Sequence, residues 1–162
     1  MKKIVLILAL FCCTSCYADN PYVLPLIINQ DYVDSTLTNF PVLVLLNSRN
    51  FTFSESQSDG DDIRFVTALS GGDTLKYERV SHNASTQIAE YWVKIPTMSG
   101  TINTVFYLTY GDLTTADGAN PTNVWDANYV TIQHMNDATT STILDATSNN
   151  NDGTKKGANE PI

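Results

Sequence analysis

The stretch Leu75-Lys-Tyr-Glu-Arg-Val80 (LKYERV) alternates apolar and polar side chains, as a strand with one buried face does. Ile63–Val66 alternates in the same way, whereas the continuous apolar run Pro41–Leu46 is typical of a strand buried on both faces. Three further apolar runs span Val23–Ile28, Ile88–Ile95 and Ile102–Tyr110. Because turn-forming residues separate these short runs, the sequence predicts an all-β fold, an antiparallel β-sandwich of jelly-roll-like form.

Aromatic side chains within and beside these runs are expected to fill the space between the two sheets. They are Phe40, Phe51, Phe53, Phe65, Trp92, Phe106 and Tyr107. Pro25 falls inside the first run, and a proline cannot donate a hydrogen bond to a neighbouring strand. That strand is therefore predicted to lie at an edge or to contain a bulge.

The N-terminus has the order of a secretory signal peptide. A basic start, Met1–Lys3, precedes the apolar run Ile4–Phe11, which is shorter than the roughly 20 residues needed to span a bilayer. We assign residues 1–18 as the leader, with cleavage after Ala18, and expect a periplasmic, cell-surface or extracellular protein. In the alternative, Cys16 is the lipidated residue of a lipoprotein, and an N-terminal lipid anchor is then the only membrane contact.

Cysteine and charge exclude several classes of function. All three cysteines lie within the leader, so the processed chain has no disulfide, cysteine-ligated zinc or cysteine nucleophile. The formal net charge of −8 disfavours nucleic acid and anionic lipid as partners, since both require a basic surface.

A polar segment at residues 116–122, which carries Gly118 and Pro121, marks a domain boundary. It separates a β-sandwich over residues 20–122 from residues 123–162, where a new strand is predicted at Asn128–Met135. About 40 residues rarely form a core of their own. Residues 123–162 therefore either extend the first domain or begin a second, incomplete one.

Several segments resemble a known family in their order and spacing: LTNFPVLVLLNSRNFTF (37–53), SDGDDIRFV (58–66), LKYERV (75–80), YWVKIPTMS (91–99) and FYLTYGD (106–112). Together they resemble the bacterial domain of unknown function 2341. The later segments NVWDANYVTIQHMND (123–137) and LDATSNNNDGT (144–154) resemble the start of a concanavalin A-like (laminin-G-like) lectin/glucanase domain. The resemblance implies an exported surface protein, and it implies that the chain is a fragment of a longer one.

Two sets of residues are candidate sites. Asp59, Asp61 and Asp62 could supply oxygens to calcium, although the segment is not an EF-hand and a solvated turn is the alternative. Tyr91 and Tyr110 could stack on sugar rings, with core packing as the alternative. No other cofactor is indicated.

No catalytic constellation is evident in the sequence. It has two histidines, no Gly-x-Ser-x-Gly elbow and no closely spaced acids of the glucanase type. We therefore expect a non-catalytic module that binds glycan or a cell-surface protein. A spacer that binds nothing, and an accessory part of a glycoside hydrolase with its active site elsewhere, are the alternatives.

Overall fold

The computed structural model describes residues 6–8, 20–137 and 141–156. The described strands are β1 (Leu6–Leu8), β2 (Tyr22–Ile28), β3 (Leu37–Asn47), β4 (Arg64–Val66), β5 (Tyr77–Asn83), β6 (Ile88–Met98), β7 (Thr104–Tyr110), β8 (Thr142–Ile143) and β9 (Gly153–Thr154). Single 3-10 turns occur at Gln30–Tyr32, Phe53–Glu55 and Pro121–Asn123. Within these ranges, no helix has the length and apolar character needed to cross a bilayer.

Two antiparallel sheets form a sandwich, which confirms the predicted fold class. Sheet A has the strand order β1-β2-β7-β4 and sheet B has the order β3-β6-β5. Strands β8 and β9 form a separate small hairpin. The second sandwich that was predicted beyond residue 122 stays a prediction.

The inner faces of the two sheets meet in one core. Phe65 of sheet A lies with its ring centroid 5.3 Å from Tyr77 and 5.6 Å from Tyr91, both of which belong to sheet B. All three rings are fully buried. Among the aromatic residues expected in the core, Trp92 and Tyr107 are only half-buried, because they alternate with the buried residues of β6 and β7 and so face outward.

Strand β3 is one of the two edge strands of sheet B, and the prediction that it is buried on both faces was wrong. Leu45 is 52% exposed, whereas Val44 and Leu46 on either side of it are buried. Asn50 protects the end of this edge, because its side chain donates to the carbonyl of Leu45 and accepts from the amide of Asn47. Capping of this kind limits pairing with other strands at an exposed edge.

Strand β2 follows the prediction made from Pro25. Pro25 lies opposite Tyr107 of β7, while the short strand β1 pairs only with Leu26–Ile28 on the other side. Pro25 thus occupies the part of β2 that has a single neighbour, where the missing amide hydrogen is tolerated.

The strand predicted at Asn128–Met135 is not formed. The backbone of Ile132 instead bonds to the loop that follows, since its amide donates to the Asp145 side chain and its carbonyl accepts from the amide of Ala146. Upstream in the same segment, Val124 and Trp125 are buried, and the Trp125 ring lies 5.3 Å from Trp92 on the outer face of sheet B. The segment after residue 120 is therefore packed onto the sandwich, and this packing positions the site described next.

Candidate ligand-binding cleft

The buried carboxylate of Glu78 forms hydrogen bonds that connect the C-terminal segment to sheet B. Glu78 on β5 is only 6% exposed and faces outward, opposite Trp92. One of its carboxylate oxygens accepts from the indole nitrogen of Trp125 at 2.9 Å, and the other contacts Nε2 of His134 at 3.0 Å. Burying a charge is costly unless it is paired, so these two donors account for a glutamate in this position.

The contact with Glu78 also changes the acidity of His134. The hydrogen bond that His134 donates to the Glu78 carboxylate raises the pKa of His134 above its ordinary value of 6.5, although partial burial acts in the opposite direction. The protonated imidazole is the form that pairs with a carboxylate, so the ion pair Glu78–His134 is strongest in mildly acidic solution.

A second carboxylate organises the loop that faces this ion pair. Asp145 accepts hydrogen bonds from the backbone amides of Ile132, Thr147 and Asn151, and from the hydroxyl of Thr147. Desolvation opposes ionisation of Asp145, but these donors together hold its pKa well below the usual range. Asp152 in turn accepts from the amide of Asp145 at 2.8 Å. The Asp145 carboxylate thus stabilises the conformation of this loop.

Between β5 and this loop lies a cleft of about 290 Å³. We call it the Glu78 cleft, and its polar lining includes Thr122, His134, Asn136, Asp137, Asn150 and Asp152. A β-bulge between Arg79 and Ser81 disturbs the strand pairing at this point. The carbonyl of Val80, inside the bulge, accepts from the Asn136 side chain at 3.4 Å. The lining therefore offers carboxylate, amide and hydroxyl groups together with one imidazole.

The three predicted calcium ligands, Asp59, Asp61 and Asp62, form separate contacts in the structure. Asp62 is completely buried and accepts from the amides of Gln57 at 3.0 Å and Gly111 at 2.7 Å, so it ties two loops together. Asp61 pairs with Arg79 at 2.8 Å, and Asp59 accepts from the amide of Asp61. Across the described ranges, no three acidic, histidine or cysteine side chains converge as a metal set. The calcium hypothesis stays a prediction.

His82 belongs to a chain of hydrogen bonds beneath the loop at residues 51–62. Its Nδ1 lies 2.7 Å from the Tyr91 hydroxyl and its Nε2 lies 3.3 Å from the Ser56 hydroxyl. Because Ser56 donates to the carbonyl of Phe53, we assign the imidazole proton to Nε2 and the donor role at Nδ1 to Tyr91. Burial lowers the pKa of His82 and raises that of Tyr91, which keeps the imidazole neutral and the phenol protonated.

The two tyrosines proposed as sugar platforms are core residues. Tyr91 is fully buried and Tyr110 is 7% exposed, so neither ring presents a face to solvent. Tyr110 stacks on Tyr22 with ring centroids 5.2 Å apart. Both side chains follow the inward positions of their strands, which corrects the sugar-stacking interpretation in favour of core packing. Cys16, the predicted lipidation site, lies outside the described residues.

Sequence reasoning missed Glu78 and Trp125. The alternation in LKYERV places Glu78 on the outer face of its strand, where a carboxylate is ordinarily solvated. Only the later segment, which returns to cover that face, makes Glu78 a buried anchor. The tryptophan in NVWDAN was the available signal, because a tryptophan in a polar segment usually has a surface to cover.

The chain is thus an all-β sandwich with a polar cleft at one edge of its second sheet. Residues 59–154, more than half of the chain, match the family described as Domain of unknown function (DUF2341), and the chain belongs to that family. The matched range includes residues 123–154, for which the sequence leaves open an extension of the first domain or the start of a second one. Neither the curated proteins nor the solved structures gave a match to this chain.

Proposed function

We propose that this protein is an exported, non-catalytic module that binds a hydroxyl-rich ligand, most simply a glycan, in the Glu78 cleft. The observation that carries the proposal is the composition of the cleft. Carboxylates, side-chain amides and an imidazole converge around about 290 Å³, which is near the lower end of the range usual for ligand pockets.

The chemistry of the lining suits sugar hydroxyls. Each hydroxyl both donates and accepts, so it pairs with a site that offers both kinds of group. Asp137 and Asp152 supply acceptors, and His134 supplies a donor when protonated. Asn136 and Asn150 supply both. Asp145 holds the backbone of the loop that carries Asn150 and Asp152, so this side of the cleft is positioned before a ligand arrives, which reduces the entropy lost on binding.

The non-catalytic part of the proposal is supported by how the two histidines are used. His134 is paired with Glu78, and His82 is held between Tyr91 and Ser56. The contact between His82 and Ser56 resembles a nucleophile and its base. However, Ser56 is 7% exposed and donates to a backbone carbonyl, so it is poorly placed to attack a substrate.

Export and a lectin-like continuation remain parts of the same proposal. The signal-peptide pattern of residues 1–18 supports secretion or lipid anchoring at Cys16. The resemblance of residues 123–137 and 144–154 to the start of a lectin-like domain supports a glycan as the ligand class. A cell-surface glycoprotein would present the same hydroxyl chemistry.

The proposal is tested by isothermal titration of the chain against neutral cello-, xylo-, manno- and chito-oligosaccharides. We expect saturable binding of at least one of them, weakened by Asn136→Ala, which removes an exposed amide from the cleft. Asn128→Ala is the matched control, because Asn128 is also exposed and lies outside the cleft lining. Repeating the titration with calcium and with a chelator tests the prediction for Asp59, Asp61 and Asp62.

Binding that is equal in the wild type and in Asn136→Ala would move the site away from the Glu78 cleft. A folded chain that binds none of the oligosaccharides would favour the spacer interpretation.

A further inference from the structure

Two lysines stand side by side on the outer face of sheet B. Tyr77 and Val93 are paired across β5 and β6 with their side chains buried in the core. The neighbouring residues Lys76 and Lys94 therefore lie opposite each other with their side chains on the outer face. The amide of Lys94 donates to the carbonyl of Lys76 at 2.9 Å, which confirms that the backbones are adjacent.

We propose that Lys76 and Lys94 form a binding site for the carboxylate groups of an acidic polysaccharide. This site is distinct from the Glu78 cleft, and its assignment is independent of the function proposed for that cleft. It rests on the electrostatics of the lysine pair and on the side chains that surround it.

Like charges placed directly opposite each other destabilise a strand pair. Two other cations of this acidic chain have partners within the fold: Arg64 donates to backbone carbonyls, and Arg79 forms ion pairs with Asp61 and Asp117. Among the described residues, neither Lys76 nor Lys94 forms an ion pair. Within the part of the chain that the structure describes, the Lys94 ammonium group donates to the carbonyl of Asn123, at 3.1 Å. The pairing of Lys76 and Lys94 therefore opposes folding. The chain as a whole has a net charge of −8, so two adjacent lysines are unusual in it. An anion that binds between the two ammonium groups would explain why they lie together.

The surroundings of the lysines favour a sugar acid. They line a second cleft of about 290 Å³ together with Asn39, Pro96 and Asn123. The two side-chain amides match ring hydroxyls next to a carboxylate, and the exposed proline offers an apolar surface for the C–H face of a sugar ring. Asp73 also lines this cleft, so the site carries a net charge of about +1 and suits single carboxylates on a polyhydroxylated chain rather than a densely charged anion.

The test is a titration of the full chain with tetragalacturonate, with its methyl ester and with tetraglutamate. We expect tetragalacturonate to bind, and its affinity to fall at least tenfold when the carboxylates are esterified, because charge-assisted hydrogen bonds are lost. Raising the salt concentration should weaken binding further. Equal affinity for the ester, or no binding of tetragalacturonate, would overturn the proposal. A preference for tetraglutamate would overturn the choice of ligand class.

Variants locate the site and separate it from the Glu78 cleft. Lys76→Gln and Lys94→Gln should each weaken tetragalacturonate about tenfold. The control Lys156→Gln, at an exposed lysine outside this cleft, should have little effect, as should Asn136→Ala. Removing either lysine of the pair relieves repulsion, so Tm should stay the same or rise. Unchanged affinity in both lysine variants, or an equal loss in Lys156→Gln, would refute the assignment.

Discussion

Replacing Glu78 by Gln tests whether this carboxylate anchors the segment that follows the sandwich. The carboxylate accepts from Trp125 on one oxygen and from His134 on the other. The amide of Gln can accept from only one of these donors, because its nitrogen is itself a donor. The variant therefore loses one hydrogen bond to a charged group, which typically contributes about 1.5–3 kcal/mol. His134 is partly accessible to water, so we expect a loss near the lower end, about 2 kcal/mol.

The loss should depend on pH in a defined direction. The folded-state pKa of His134 is raised above 6.5, so the stability that the ion pair contributes is fully present below pH 6.5. It is lost as the pH rises through the folded pKa. The destabilisation by Glu78→Gln should therefore fall from about 2 kcal/mol at pH 5.5 to about 1 kcal/mol at pH 8.5, where His134 donates only as a neutral group.

Urea denaturation of both proteins at the two pH values measures this difference. Glu90→Gln is the matched control. Glu90 lies on the same sheet and is a smaller cause of the His134 pKa shift, so its replacement should cost less than about 0.5 kcal/mol. An equal loss at both pH values would refute the ion pair, and no loss at either would refute the anchoring role of Glu78.

Two further predictions concern His82 and the loop above it. Proton NMR titration should place the pKa of His82 below 6.5 and that of His134 above it. Because the folded pKa of His82 is lowered, its contribution to stability is present above pH 6.5 and is lost as the pH falls through the folded value. The same sign of shift for both histidines would contradict their assigned environments. Gly60→Ala should cost about 2–4 kcal/mol in thermal or urea unfolding, since a Cβ atom there would lie 2.6 Å from the Tyr91 hydroxyl at a φ of +77°. Gly71→Ala, with a φ of +65° and open space around it, should cost only about 1 kcal/mol, and equal costs would refute the close contact.

Much of the fold could be predicted from local pattern. Alternation and turn residues located the six principal strands of the sandwich, because strand pairing with one buried face produces a period of two in the sequence. The predicted set of core aromatic residues is wrong where it does not follow this period of two. Phe106 and Tyr107 are adjacent in β7 and cannot both face the core, and the structure buries only Phe106.

The candidate site could not be predicted from the sequence, for a different reason. Glu78 and His134 are 56 positions apart, and they meet only because the segment around Trp125 packs on the outer face of sheet B. Nothing local distinguishes that glutamate from a solvated one. The segment Asn128–Met135 is predicted as a strand because its aromatic and β-branched residues suit one. Its backbone instead bonds to the Asp145 loop, a contact that depends on the three-dimensional arrangement of the loop.

Amide chemical-shift mapping of the ¹⁵N-labelled chain with pooled neutral oligosaccharides reports where a hydroxyl-rich ligand binds. If the Glu78 cleft receives it, the largest shifts will fall on Val80, Thr122 and the residues around Asn136 and Asn150, which line the cleft from separate parts of the chain. The core amides of β2 and β7 should not move. Cleft amides that stay unchanged at saturating ligand, or shifts that cluster on another surface of the sandwich, would contradict binding in the Glu78 cleft.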